Sequence, residues 1–397
     1  MEAGTSCSSP IRPDLLIVGG GVVGLTIARE AAGRGWSVEL IDRGPIGGEA
    51  SWAGAGMVPP GCAKDRAAEA TPQEQLSGLS SRLHEELHGR LLDETGLDNG
   101  YRRCGAVYLA DSVQPSGWLN QLKHWQRLGV AAEAVDQHTL QFMEPGIRAL
   151  GRDQAAAVVP AEAQIRNPWH LRALAESCRL RDVRLRPGVA LVEVKLSGAV
   201  IRRVQTTEGP IEAGAVCIAS GCWSGGIAET LGLRLPTVPV RGQIALLHAE
   251  PGLLKRVVNI GKRYLVPRED GRILVGSTEE NVGFEKGNTP EAVDGLLRLA
   301  RGIVPALEGL VPDQKWSGLR PSTPDGLPYL GKLGEFTNAW IAAGHFRAGL
   351  SQSTGTAALM LRLIAGEPPS MDVGAFDPGR FSDGVLGPSL GGALSSI

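Results

Sequence analysis

The stretch DLLIVGGGVVGLTIAREAAGRGWSVELID, Asp14 to Asp42, decides the fold. Leu15-Leu16-Ile17-Val18 is a short continuous apolar run, as expected for a strand buried on both faces. It runs directly into a GxGxxG on Gly19, Gly21 and Gly24. From Val22 to Ala32 the apolar residues recur at helical spacing, and Gly33 and Gly35 offer a stop. Val38-Glu39-Leu40-Ile41 reads as a second strand, closed by Asp42. Each part has a physical task. Gly19 permits the tight turn, Gly21 lets backbone approach a pyrophosphate, and Gly24 lets helix and strand pack closely. Val22 and Val23 open a helix whose free N–H groups and positive dipole end favour phosphate. Asp42 stands about twenty residues past the first glycine, where a carboxylate can accept ribose hydroxyls. A lone GxGxxG is weak; here strand, glycines, helix, strand and acid come in order and mark a dinucleotide site.

Working outward, Arg43 to Gly61 reads RGPIGGEASWAGAGMVPPG, a small-residue stretch where a third strand would stand in a pure nucleotide fold. Its glycines and alanines let backbone pass close to a large flat ligand, and Ser51 can donate to a phosphate oxygen. Val216 to Gly221 is a further buried strand ending in glycine. Near the C-terminus, the strand Trp340 to Gly344 is followed by His345-Phe346-Arg347-Ala348-Gly349 and a helix expected over Leu350 to Ala365. Two strand–glycine-loop–helix units so far apart in one chain point to FAD rather than NAD. The second helix would turn its dipole to the flavin.

The remaining composition sets limits. A chain of 397 residues is long for one core, so two domains are expected. Net charge is −2 with both signs mixed, which gives no electrostatic reason to expect nucleic acid or an anionic membrane surface. No window is apolar for long enough to span a membrane. The lead-in MEAGTSCSSPIRP lacks the pattern of a secretory signal and reads as disordered. Cys7, Cys62, Cys104, Cys178, Cys217 and Cys222 show no metal-ligand spacing and are expected to be reduced, in a cytoplasmic protein. Asp270-Gly271 between two β-rich runs, Tyr264 to Glu269 and Arg272 to Val275, signals a hairpin. Val240 to Leu247 and Asn99 to Ala110 are further strand candidates. Such hairpins belong to an antiparallel sheet.

The segments LLIVGGGVVGLTIARE, ASWAGAGM, GYRRCGAVYLA, VRGQ, YLVPREDGRILVGSTEE, WSGLRPSTPDGLPYLG and AAGHFRAGL carry a resemblance over Leu15 to about Pro368. The chain resembles the D-amino-acid-oxidase-like FAD amine oxidases, and within them the glycine oxidases that feed thiamine thiazole synthesis. The resemblance implies an α/β fold: a discontinuous Rossmann-like FAD domain (1–98, 156–235 and 320–397) with an inserted antiparallel-sheet substrate domain (99–155 and 236–319). It implies FAD held by Gly19, Gly21, Val22, Val23, Gly24, Asp42, Arg43, Ser51, Ala53, Gly54, Gly56, Met57, Val189, Ser220, Gly221, Trp223, Gly344, His345, Arg347, Ala348, Gly349 and Leu350. No cysteine stands where relatives attach flavin covalently, so the FAD is expected to be non-covalent.

In that family an amine gives hydride from its α-carbon to flavin N5, and O₂ reoxidises the flavin to give hydrogen peroxide. An amino acid substrate needs a fixed cation, and Arg320 occupies the matching position in GLRPSTPDGLP. A guanidinium fork fits a carboxylate in two hydrogen bonds; Pro321, Pro324 and Gly326 would restrict the backbone around it. Tyr264 matches a tyrosine that assists the carboxylate, or packs on its sheet. Arg347 would assist the substrate, stabilise anionic reduced flavin, or form a salt bridge. Met57 approaches the flavin or fills a gap, and His345 packs or bonds locally rather than acting as a base. Glu279 departs from the family by standing where glycine oxidase has methionine near the substrate, so it would repel a second carboxylate or attract an amine if it faced the pocket. Beside an oxidase of glycine, small amines or D-amino acids stand two alternatives: a dehydrogenase of the same fold using a quinone or carrier, and a flavin-binding protein without catalysis. No coiled coil is legible, although a homo-oligomer is compatible with the sequence.

Overall fold

The computed structural model describes residues 12–110, 115–149, 151 and 155–381. The N-terminal lead-in through Ile11, with Cys7, and the tail beyond Phe381 lie outside the described residues.

Two sheets organise the chain. The first has six strands in the order Tyr329–Lys332, Ala339–Ala343, Ala215–Ile218, Leu15–Val18, Val38–Asp42 and Arg184–Pro187. All neighbours are parallel except the first pair. The apolar run at Leu15 to Val18 is central and fully buried because the period of two sends alternate residues to two cores. Leu15 and Ile17 pack on the helices Val22–Gly33, Pro72–Thr95, Asn167–Leu180 and Ser353–Ile364. Leu16 and Val18 face a core that includes Ile201, Val204 and Ile211 of a three-stranded antiparallel sheet. The first helix starts after Gly21, as its spacing predicts, and ends at Gly33.

The second sheet has eight strands in the order Gln314–Ser322, Val238–His248, Arg272–Gly276, Arg263–Pro267, Val257–Ile260, Ala106–Leu109, Ala156–Val159 and Glu133–Val135. One parallel pair, Val257–Ile260 with Ala106–Leu109, interrupts an otherwise antiparallel ladder. One face packs on the helix Pro290–Ile303 through Val293, Leu296, Leu297 and Ala300. The other carries Ile244, Tyr264 and Val266 toward Ala55 and Met57 of the small-residue stretch.

Several boundaries differ from the sequence reading. The hairpin strand ends at Pro267, and Arg268 to Gly271 form a four-residue turn closed by Arg268 N donating to Arg272 O at 2.7 Å. Gly271 takes φ 83 there, which favours glycine. The Asn99–Ala110 candidate contracts to Ala106–Leu109, because Asn99 to Gly105 bond instead to the 162–166 segment. Ala156–Val159, at the start of the expected 156–235 segment, is laddered into the eight-stranded sheet with Ala106–Leu109 and Glu133–Val135. Arg320 lies within an edge strand, where Pro321 is tolerated; ladder pairing with Val240, rather than the following turn, fixes its backbone. The last helix begins at Ser353, three residues later than expected.

Candidate active site

A single cavity of about 1110 Å³ runs from the glycine turn to the inner face of the antiparallel sheet. Ligand pockets commonly span about 300–1,000 Å³, so this one has room for a dinucleotide and a small substrate together.

At one end the backbone forms a cradle. Gly19 has φ 119, and a Cβ there would stand 2.4 Å from Ala219 O. A Cβ on Gly24 would stand 2.0 Å from Gly19 O, so this glycine serves helix packing and is absent from the cavity wall. Ser51 Oγ accepts from Val22 N at 2.9 Å, which caps the helix start and leaves its O–H free to donate. Asp42 faces the cavity while its carboxylate accepts from Gly20 N at 2.7 Å and Gly44 N at 2.8 Å. Arg43 stacks over Trp223 at 3.9 Å, and Val189 is fixed by its N–H donating to Asp42 O at 2.8 Å.

The middle of the cavity is walled by Ala50–Met57 and Gly344–Gln352. The first segment is held from several directions. Asn167 Nδ2 donates to Ser51 O at 2.7 Å, Trp316 Nε1 to Ala53 O at 3.0 Å, and Arg268 Nη2 to Ala55 O at 2.9 Å. A Cβ on Gly56 would stand 1.9 Å from Ile165 O. In the second segment Phe346 takes φ 48 while its N–H donates to Pro321 O at 2.7 Å, which ties this loop to the strand of Arg320. His345 Nε2 lies 2.9 Å from Thr356 Oγ1, and burial lowers it to about 4, so it is neutral at neutral pH. His84 Nε2 donates to Leu350 O at 3.0 Å and supports the same loop from beneath.

The far end holds Tyr264 and Arg320. Arg320 Nη1 donates to Thr278 O at 2.9 Å and Nη2 donates to Ser277 Oγ. A third N–H is shared with the Tyr264 hydroxyl, so two of the five are left. Burial pulls this guanidinium below its ordinary range, with Tyr264 opposing the shift. Two glycines make the space: a Cβ on Gly242 would stand 2.3 Å from Arg320 Nη1, and one on Gly276 would stand 2.4 Å from the Tyr264 ring. Arg347 lines the cavity, yet its Nη1 pairs with Glu279 Oε1 at 3.0 Å and its Nη2 donates to Lys262 O at 3.0 Å. Glu279 also receives Lys262 Nζ at 2.9 Å and is absent from the cavity wall. Burial opposes its ionisation, but Lys262 and Arg347 together hold its carboxyl below the usual range.

Apart from Gly24, every residue expected to hold FAD or substrate lines this cavity. The sequence reading missed Gly242, Gly276 and Arg268. The two glycines sit inside strand runs, and Arg268 falls within the hairpin signal. It also missed Tyr108, Asn259 and Glu162, which line the cavity beyond Tyr264. A lone acid in the apolar run AAAVVPAEAQI was the available signal. Among the described residues no cluster suits a metal ion, and no helix is long and apolar enough to cross a membrane.

A glycine cradle with free donors, opening into a space beside a fixed guanidinium, fits FAD and defines a flavin-dependent oxidoreductase. The chain belongs to the family described as FAD dependent oxidoreductase (DAO), whose model matches residues 14–363. It is 35% identical to a glycine oxidase of Pseudomonas aeruginosa, over 92% of this chain and 98% of that protein. It is 33% identical to a bifunctional protein ThiO/ThiG of Synechocystis, over 93% of this chain and 54% of that longer protein. Its fold superposes on the crystal structure of glycine oxidase from Geobacillus kaustophilus with a TM-score of 0.86 at 30% identity, covering 93% of this chain and 99% of that one. The protein is an FAD-dependent enzyme.

Proposed function

We propose that this enzyme oxidatively deaminates glycine and other small amines or D-amino acids and uses O₂ as electron acceptor. The observation that carries the reading is Arg320, whose unused donors share one cavity with Tyr264 and the dinucleotide cradle. When bound, FAD supplies a two-electron acceptor at flavin N5 and returns the electrons to O₂ as hydrogen peroxide. The protein's part is to bind and to aim. Arg320 holds the substrate carboxylate through its remaining N–H groups, and the Tyr264 hydroxyl donates to the same carboxylate. Met57 and Ala55, packed in one cluster with Tyr264, make the adjoining wall apolar. The amine must be uncharged when hydride leaves its α-carbon, and His345, neutral and turned to Thr356, takes no proton from it. Positioning therefore supplies most of the rate enhancement. The imine product hydrolyses to glyoxylate or a 2-oxo acid and ammonia.

The likeness to ThiO/ThiG supports a role in thiamine thiazole synthesis. FAD is held without a covalent bond, through the cradle and the two small-residue loops. Five described cysteines are free thiols, and burial raises Cys178, Cys217 and Cys222 to about 12, in keeping with structural thiols in a reducing cytoplasm.

The test is anaerobic addition of glycine, sarcosine, D-alanine and D-proline to the yellow protein. Bleaching of the visible flavin band by at least one of them is expected, followed by peroxide on admission of air. No bleaching by any would overturn the amine-oxidase reading. Bleaching without peroxide would move the second half-reaction to another acceptor.

A further inference from the structure

The cavity continues past Tyr264. Tyr264 pairs with Asn259 and Asn259 with Tyr108, so the three stand in one row across adjacent strands, and all three line the cavity. Behind the row is Glu162, 1% exposed, whose Oε2 accepts the Tyr108 hydroxyl at 2.5 Å. The neighbouring wall is apolar: Trp125, edge-on to Tyr108 with ring centroids 4.7 Å apart, together with Leu128 and Val159.

Glu162 differs from the other buried glutamates. Glu39 pairs with Arg186 at 2.7 Å, and Glu144 pairs with Arg256 at 3.0 Å. Among the described residues, the Glu162 carboxylate is hydrogen-bonded by the neutral Tyr108 hydroxyl, the neighbouring Asn259 Nδ2 is left without a partner, and burial raises the carboxyl to about 7. A structural acid in a dry wall is normally matched by a cation; this one faces a cavity instead. Other charged groups on the cavity wall are the His124–Glu74 pair, 2.5 Å apart, whose His124 Nδ1 also meets Arg127 at 2.8 Å, and Arg263 at the strand start.

We propose that this end of the cavity is the subsite for the substrate's side chain, and that it takes an ammonium or guanidinium carried four or five atoms beyond the α-carbon, with Glu162 as its partner. Adjacent strands lie about 4.8 Å apart, so Tyr108 stands about 10 Å from Tyr264 along the sheet. A carboxylate held at Arg320 and a cation at Glu162 are then bridged by an aliphatic chain of lysine length, its methylenes lying along Trp125 and Val159. The proposal rests on the amine-oxidase reading and adds to it a class of substrate.

Two ligands without an α-amine separate this idea from that reading. 6-Aminohexanoate and hexanoate both offer a carboxylate to Arg320, only the first carries a distal ammonium, and neither can be deaminated at the α-carbon. Their dissociation constants come from the change in flavin absorbance of the holoenzyme. A charge-assisted bond predicts about tenfold or greater preference for 6-aminohexanoate, and Glu162→Gln should remove most of it. Equal binding of the two by the wild-type holoenzyme overturns the subsite, whether or not the variant folds. In turnover, D-lysine should exceed D-norleucine in kcat/KM by a similar factor. Oxidation of glycine with no such preference would sink the subsite alone. Failure of every amino acid to bleach the flavin, with 6-aminohexanoate still preferred, would sink the deamination chemistry and leave the cation site standing.

Discussion

Replacing Arg320 with alanine tests the heart of the site. The guanidinium spends one N–H on Thr278 O, one on Ser277 Oγ and one on Tyr264, and two N–H groups stay available for a substrate carboxylate. A hydrogen bond to a charged group contributes about 1.5–3 kcal/mol net, which is roughly tenfold to 150-fold in affinity. Two such bonds set the upper bound, and the low exposure of the site puts the expected loss above tenfold. Truncation also leaves the carboxylate with the neutral Tyr264 hydroxyl and no cation to pair with. Steady-state kinetics with glycine should show a raised KM and a kcat/KM lower by more than tenfold. Ethylamine, which has no carboxylate, should lose far less. The ratio of the two substrates therefore isolates carboxylate binding from general damage, and unchanged visible absorbance would confirm that FAD is retained. A variant with wild-type kcat/KM for glycine would refute the assignment of Arg320.

Four further outcomes follow from the geometry. Gly242→Ala would drive a Cβ to 2.3 Å from Arg320 Nη1, so KM for glycine should rise severalfold although the charge is kept; unaltered KM would show that the guanidinium can shift without loss. Gly24→Ala would place a Cβ 2.0 Å from Gly19 O, and purified protein should be largely colourless, as read by visible absorbance against protein absorbance. Arg268→Met removes the donor to Gln164, Ile165 O and Ala55 O, and should cost about 3 kcal/mol or more in stability and weaken FAD retention, both measurable by thermal melts with and without added FAD. Burial holds His84, His170 and His345 near about 4, about 3 and about 4, against an ordinary 6.5. Below about pH 6.5 the unfolded chain takes up protons that the native state refuses, so stability should fall as pH drops from 6.5 toward 4, by about 1.4 kcal/mol per unit for each histidine. A Tm that stays flat between pH 7 and pH 5 would contradict this.

The nucleotide half was legible because its signals are local. Strand, glycines, helix and acid follow one another from Leu15 to Asp42, and the structure builds them at nearly the same bounds. Arg320 was legible for a different reason, since a long cation among prolines and glycines is conspicuous in one dimension. Its setting was not. The sequence suggested a turn, whereas pairing with Val240, about eighty residues earlier, makes the segment a strand. Gly242 and Gly276 read as ordinary strand glycines until the Arg320 guanidinium and the Tyr264 ring are seen filling the space beside them. The sequence leaves open whether Glu279 faces the substrate; Lys262 and Arg347 hold it off the cavity wall, and Arg347 comes from 68 residues further along the chain. Contacts between residues so distant in sequence leave no local pattern for a reader to find.

The bracing of Ala50–Met57 has a consequence for anyone who would redesign this enzyme. Trp316 and Arg268 from the antiparallel sheet grip Ala53 and Ala55, while Ser51 caps the nucleotide helix. This one segment is mortared to both halves of the protein. A graft that swaps the antiparallel sheet for that of a relative, in search of new substrates, must carry residues 50–57 with it, or the transplanted wall will not meet the flavin squarely. The modular unit is therefore the sheet plus its borrowed loop, which lies far from it in the chain.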